Sequence, residues 1–129
     1  MKTPPSAAKR VLVIDDEVKF CAVMSAFLTA RGYEVATASS SNDALAQLEQ
    51  FRPDVLLLDY KLPDINGNVV CRTIRANPNY RHMQIIIISG VADPDEVAEL
   101  KAAGADEFIR KPFDINAVIN RIAEMMKVA

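Results

Sequence analysis

Three short runs of consecutive apolar residues organise the chain: Val11–Ile14, Val55–Leu58 and Ile85–Ile88. None alternates apolar with polar positions. Continuous runs of this length, rich in branched side chains, predict strands buried on both faces of a parallel sheet. Two weaker runs, Glu34–Thr37 and Glu107–Arg110, predict the remaining, more exposed strands. Helical spacing fills the gaps. Phe20, Val23, Met24, Phe27 and Leu28 follow the i, i+3, i+4 pattern of an amphipathic helix, with Gly32 placed to stop it. Ala44, Leu45, Leu48 and Phe51 predict a second helix, with Ser40 and Asp43 as its capping box. Gly67, Val70, Cys71 and Ile74 predict a third. The fourth has Asp93 as N-cap, Pro94 at N1, Glu96 at N3 and Gly104 as its stop. Asp114 caps a fifth, carried by Ile115, Val118, Ile119, Ile122 and Met126.

The pattern is β-α repeated five times, which implies a parallel α/β sheet with right-handed crossovers and helices on both faces. At 129 residues the chain has the size of one domain with a real core. Residues 1–8 are expected to be a flexible tail and 9–127 the domain.

Composition narrows the function classes. Fifteen Lys and Arg against 17 Asp and Glu give a net charge of −2, no basis for broad binding to nucleic acid or an anionic membrane. Half of the residues are hydrophobic, which excludes a disordered chain. The N-terminal segment has no apolar core of a signal peptide and no run reaches the length of a bilayer span, so a cytoplasmic protein is expected. Cys21 and Cys71 sit among apolar residues at helical spacing and read as small hydrophobes rather than a disulfide.

In an open α/β sheet, ligands bind beyond the C-terminal strand ends. Strand one runs into Asp15-Asp16-Glu17, strand three into Asp59, strand four into Ser89-Gly90, and Lys111-Pro112 follows strand five. Loop Asp and surface Lys explain any one of these residues, but the set poorly. Three carboxylates in one cleft repel, and a hard divalent cation such as Mg2+ removes the conflict. Three carboxylates, Mg2+ and Lys111 together are neutral, leaving a phosphoryl group to be held by metal, lysine and the Ser89 hydroxyl.

From about Lys9 to Met126 the chain resembles the response-regulator receiver domain, on the acidic pair after strand one, Asp59 in Leu58-Asp-Tyr-Lys-Leu-Pro-Asp64 with Gly67 following, Ser89 after an all-Ile strand, and Lys111-Pro112-Phe113. The resemblance implies a flavodoxin-like (βα)5 doubly wound sheet in the order 2-1-3-4-5. It also implies that Asp59 is the phosphoryl acceptor, taking the group from a sensor histidine kinase or histidine phosphotransfer protein. Asp15, Asp16, Asp59 and the Lys61 backbone carbonyl would hold Mg2+, with Asp15 acting largely through water. Ser89 and Lys111 would hold phosphoryl oxygens, and the Lys111–Pro112 peptide would be cis. Ser89 and Phe108 would form the switch; Phe108 stands where the family often has Tyr and lacks a hydroxyl to anchor either rotamer. Helix four, strand five and helix five would present the result to a protein target or an effector domain, and a phosphorylation-dependent homodimer is a further partner the resemblance allows. No processing of a free metabolite is implied beyond self-phosphorylation and self-dephosphorylation.

Competing readings fit less well. A haloacid-dehalogenase-like phosphatase needs a second Asp two residues after the nucleophile, where Lys61 stands. A nucleotide- or flavin-binding module wants a Gly- or Ser/Thr-rich loop after strand one, where Asp15-Asp16-Glu17 would repel phosphate. A phosphorylation-independent interaction module has no use for the complete acceptor set. His82, the single histidine, lies in the loop Asn77–His82 away from the strand ends and reads as a solvated side chain. Met125 and Met126 read as core and surface, and Asp64 as a turn or cap residue before helix three. Lys61 and Val91, each two residues beyond Asp59 and Ser89, are expected to set phosphate lifetime at the cleft mouth.

Overall fold

The apolar runs become the three central strands of a five-stranded parallel sheet ordered β2-β1-β3-β4-β5. In a computed structural model the described residues are 9–90, 93–111 and 113–126. The N-terminal tail 1–8, Val91, the Lys111–Pro112 peptide and the expected domain end at 127 therefore lie outside the described residues. Along the chain run β1 (Arg10–Ile14), α1 (Val18–Ala30), β2 (Glu34–Ala38), α2 (Ser41–Phe51), β3 (Val55–Asp59), α3 (Gly67–Arg75), a 3-10 turn (Pro78–Tyr80), β4 (Gln84–Ser89), α4 (Pro94–Ala102), β5 (Glu107–Arg110) and α5 (Ile115–Met125). The fold expected from the repeated β-α pattern is the fold observed.

The apolar runs do not alternate because each strand feeds two cores. Leu12, Ile14, Leu56, Leu58, Ile85 and Ile87 pack on the side that holds Leu48, Cys71, Ile74 and Leu100. Val11, Val13, Val55, Leu57, Ile86 and Ile88 pack on the other, with Met24, Leu28, Val118 and Ile122. Both cysteines are free and buried, as small hydrophobes should be. The edge strands β2 and β5 are the half-exposed ones, as their mixed composition requires. Met125 is buried and Met126 half-buried.

Three local expectations change, and one helix end had no counterpart in the sequence reading. Val23 and Phe27 are 40% and 45% exposed; the buried stripe of α1 is Cys21, Met24 and Leu28. Helix α1 is apolar nearly all round, so periodicity could not choose its inner face. The Ser40 Oγ does accept from the Asp43 N–H at 3.1 Å, but Asp43 reaches back to the Ser39 N–H at 3.4 Å rather than to the cap residue itself. Asp64 caps α2 and not α3: its carboxylate accepts from the N–H groups of Ser41 and Asn42, both at 3.0 Å. The Ser41 hydroxyl first, and then these N–H groups, hold the Asp64 carboxyl well below its ordinary pKa. Finally, α2 stops on Arg52 in the left-handed region (φ 51°), a position that glycine occupies without strain. Gly32 and Gly104 supply the positive φ expected of the stops after α1 and α4.

Candidate phosphoryl and metal site

The parallel register sets the carboxyl ends of the central strands level, with Ile14 beside Leu58, Asp59 beside Ile88 and Ser89 beside Arg110. The polar residue that ends each strand therefore reaches one cleft. Asp15, Asp59 and Ser89 are buried there, whereas Asp16 is exposed at its mouth. One carboxylate oxygen from each of Asp15, Asp16 and Asp59 lies within 4.8 Å of the other two. Lys111 Nζ stands 3.5 Å from Asp59 Oδ1. The Lys111 N–H donates to the Ser89 carbonyl at 2.8 Å, which ties the ends of β4 and β5 together.

The backbone around Asp59 is pinned on two sides. The Tyr60 N–H donates to the Ile88 carbonyl at 2.9 Å, and the Gly67 N–H donates to the Tyr60 carbonyl at 2.6 Å. Gly67 suits this approach: a Cβ there would crowd the backbone, 3.1 Å from both the Asp59 carbonyl oxygen and the Tyr60 Cα. Lys61, exposed, pairs with Asn66 across the connecting loop.

The electrostatics are unresolved within the cleft itself. Burial raises the Asp15 pKa from its ordinary 3.8 to about 6, with the neighbouring Asp59 charge adding and the Glu17 N–H and Lys111 subtracting. Burial also raises Asp59, against the opposing pull of Lys111. Asp15 Oδ1 accepts the Glu17 N–H at 2.9 Å, but Oδ2 is enclosed with no partner among the described residues. An enclosed, unpartnered carboxylate oxygen is costly. Here it faces two further carboxylates, so the donor set suits a hard cation that takes oxygen ligands.

The predicted residues Asp15, Asp16, Asp59 and Lys111 are thus brought together, with Ser89 at the adjoining strand end. Phe108 is half-buried on β5, packed against the core that includes Ile85 and Ile87. It lines a cleft of about 230 Å³ with Val97, Lys101, Asp106 and Glu107. His82 lies at the opposite end of the sheet, beside Lys9, Asp54 and Gln84.

Two features escaped the sequence. The Cys21 thiol donates to the Asp15 carbonyl at 3.3 Å, so this small hydrophobe also steadies the acidic pair. Beside Lys111, a groove lined by Glu17, Phe20, Phe113 and Ile115 opens next to the carboxylates, its wall fixed by Phe20 meeting Phe113 edge-on at 5.7 Å. The Lys-Pro-Phe motif hinted at the second; nothing in the pattern announced the first.

Comparison with known proteins agrees with this geometry. Residues 11–123 match the sequence model of the response regulator receiver domain. The response regulator PleD of Caulobacter vibrioides is 32% identical over 92% of the chain, and the DNA-binding response regulator MtrA of Mycobacterium tuberculosis is 30% identical over 92%. The chain spans 26% of the first protein's length and 51% of the second's. Among solved structures, a CheY-like receiver domain from Methanospirillum hungatei superposes with a TM-score of 0.88 at 28% identity, covering 94% of this chain and 95% of that one. Chemotaxis protein CheY4 of Vibrio cholerae gives 0.87 at 28%, covering 93% and 100%.

Proposed function

The chain belongs to the response regulator receiver domain family of two-component signalling, and from that premise we propose that Asp59 is its phosphoryl acceptor. The observation that carries the proposal is the enclosed, unpartnered Asp15 Oδ2 in a cluster of three carboxylates that one lysine does not balance. Asp15, Asp16, Asp59 and the Lys61 backbone carbonyl would hold Mg2+, which, when bound, neutralises charge developing on the transferred group.

The chain's own residues do the rest. An Asp59 carboxylate oxygen attacks phosphorus of a phosphohistidine; the P–N bond breaks, the imidazole takes a proton, and a mixed acyl phosphate forms. Lys111, 3.5 Å from that carboxylate, opposes the burial that raises its pKa and then pairs with a phosphoryl oxygen. The Ser89 hydroxyl donates to another. Water attacking the same phosphorus later returns Asp59 and inorganic phosphate, with Lys61 and Val91 setting the rate. The donor is a sensor histidine kinase or histidine phosphotransfer protein. The readout is a protein target or effector domain on the surface of α4, β5 and α5, with Phe108 turning inward behind Ser89. A phosphorylation-dependent homodimer would use that same surface. Among the described residues no helix is long and apolar enough to cross a membrane.

Beryllofluoride, which stands in for an aspartyl phosphoryl group, tests this. In the presence of Mg2+ it should shift the amide resonances of Asp59, Ser89 and Phe108 together. An unshifted spectrum at saturating beryllofluoride would reject the assignment.

A further inference from the structure

The loop that leaves the end of β3 is tied to a helix that phosphoryl transfer does not use. Its base is closed by the Gly67 N–H on the Tyr60 carbonyl at 2.6 Å and by the bridge between Lys61 and Asn66. Within 61–66 only Leu62 is buried, and Pro63, Asp64 and Ile65 form an exposed tip. From that tip Asp64 reaches the start of α2. Its Oδ1 accepts the Ser41 N–H and its Oδ2 the Asn42 N–H, both at 3.0 Å, and Oδ1 also accepts the Ile65 N–H at 3.1 Å. The Ser41 hydroxyl donates to the same carboxylate, and Ser41 is buried at this junction.

The leading N–H groups of a helix have no partner within it. In α2 the Ser40 Oγ takes the Asp43 N–H at 3.1 Å, and the Ser40 carbonyl takes the Ala44 N–H at 3.0 Å. The two N–H groups left over are those of Ser41 and Asn42, and the Asp64 carboxylate supplies both acceptors from 22 and 23 residues away. A negative charge is favoured at that end of the helix, and charge-assisted hydrogen bonds are directional. The apolar contact of Leu62 sets where the loop lies; the paired bonds of Asp64 also set its orientation. Lys61 stands three residues before Asp64, and its backbone carbonyl belongs to the Mg2+ site proposed above. We propose that Asp64 is a positioning residue for that site: by clamping the loop tip to the start of α2 it holds the Lys61 carbonyl in place for the cation. The clamp rests on the Mg2+ reading. Because coupling is reciprocal, the bound cation in turn steadies the first turn of α2.

Calorimetric Mg2+ titrations of the wild type, Asp64→Ala and Ser40→Ala separate positioning from simple capping. Both variants remove a cap from the same helix end, so both should lower Tm, but only Asp64→Ala releases the loop. Asp64→Ala should bind Mg2+ about tenfold more weakly, the lower end of what losing a supporting partner costs a metal site. Ser40→Ala should bind it as the wild type does. Amide hydrogen exchange supplies a second readout. Saturating Mg2+ should slow exchange at Ser41 and Asn42 in the wild type and in Ser40→Ala, and should leave it unchanged in Asp64→Ala. Wild-type affinity in Asp64→Ala, an equal loss in Ser40→Ala, or exchange at Ser41 and Asn42 indifferent to Mg2+ in the wild type would each overturn the clamp. A wild-type protein that binds no Mg2+ would instead overturn the metal reading, and the clamp with it.

Discussion

The two ends of the sheet use the same residue types in opposite ways. At the amino-terminal end two charge networks, around Arg75 and Arg10, are matched by partners. Arg75 donates to the carbonyls of Gly104 at 2.9 Å and Met83 at 2.7 Å, and to Asp106 Oδ2 at 2.6 Å. The same Asp106 oxygen accepts the Ile85 N–H at 2.8 Å. Asp54 accepts the Arg10 N–H at 2.8 Å, and Arg10 in turn reaches Glu34 and the Phe51 carbonyl. At the carboxyl end three carboxylates converge on one lysine, and one enclosed oxygen has no partner. One end is built to be finished on folding. The other leaves a charge conflict for a ligand to resolve, so function should be found where pairing is incomplete rather than where charge is dense.

Substitutions should separate the two ends. The largest loss of stability is expected from Arg75→Ala, which strips donors from two carbonyls and a carboxylate; about 3 kcal/mol should be lost in urea unfolding, with Mg2+ affinity unchanged. Gly104→Ala follows, at about 2 kcal/mol, because φ is +110° there and the new Cβ would collide with the Arg75 side chain. At the other end the sign reverses. Asp15→Asn should raise metal-free stability at pH 8 by about 2 kcal/mol, after discounting for solvent at the cleft mouth, while abolishing Mg2+ binding. The pH dependence has a definite direction. The folded Asp15 carboxyl titrates at about 6 against an ordinary 3.8, so its ionisation costs nothing below the lower value and its full penalty above the higher. Its contribution to metal-free stability should therefore fall as pH rises from about 4 to 6, and Asp15→Asn should erase that slope in unfolding curves collected across the range. The smallest effect belongs to Arg52→Gly, which relieves the left-handed end of α2 and should add about 1 kcal/mol while leaving the Arg10, Arg75 and Asp59 ion pairs in place.

The sequence made the active end more legible than the stable one. Asp15, Asp59 and Ser89 each follow an apolar run directly and Lys111 follows the mixed run Glu107–Arg110, so strand ends could be counted off and the residues gathered at one edge without knowing any contact. The Arg75 network has no such marker: its partners Gly104 and Asp106 are 29 and 31 residues away and sit in a turn, where Asp and Gly are expected for local reasons. The inner face of α1 was lost for a different reason. Apolar residues surround that helix, so Val23 and Phe27 fit the periodic stripe as well as Cys21 does, and only the packing decides. Asp64 was seen as a cap but assigned to its neighbour in sequence, whereas the free amides it reaches belong to α2, 22 and 23 residues earlier.

The most direct test of the account is intact mass after incubation with acetyl phosphate, with and without Mg2+, on the wild type and on Asp59→Asn. A single added phosphoryl group that requires both Mg2+ and Asp59 is the predicted result. A wild-type protein that binds Mg2+ yet gains no mass and binds no beryllofluoride would contradict it.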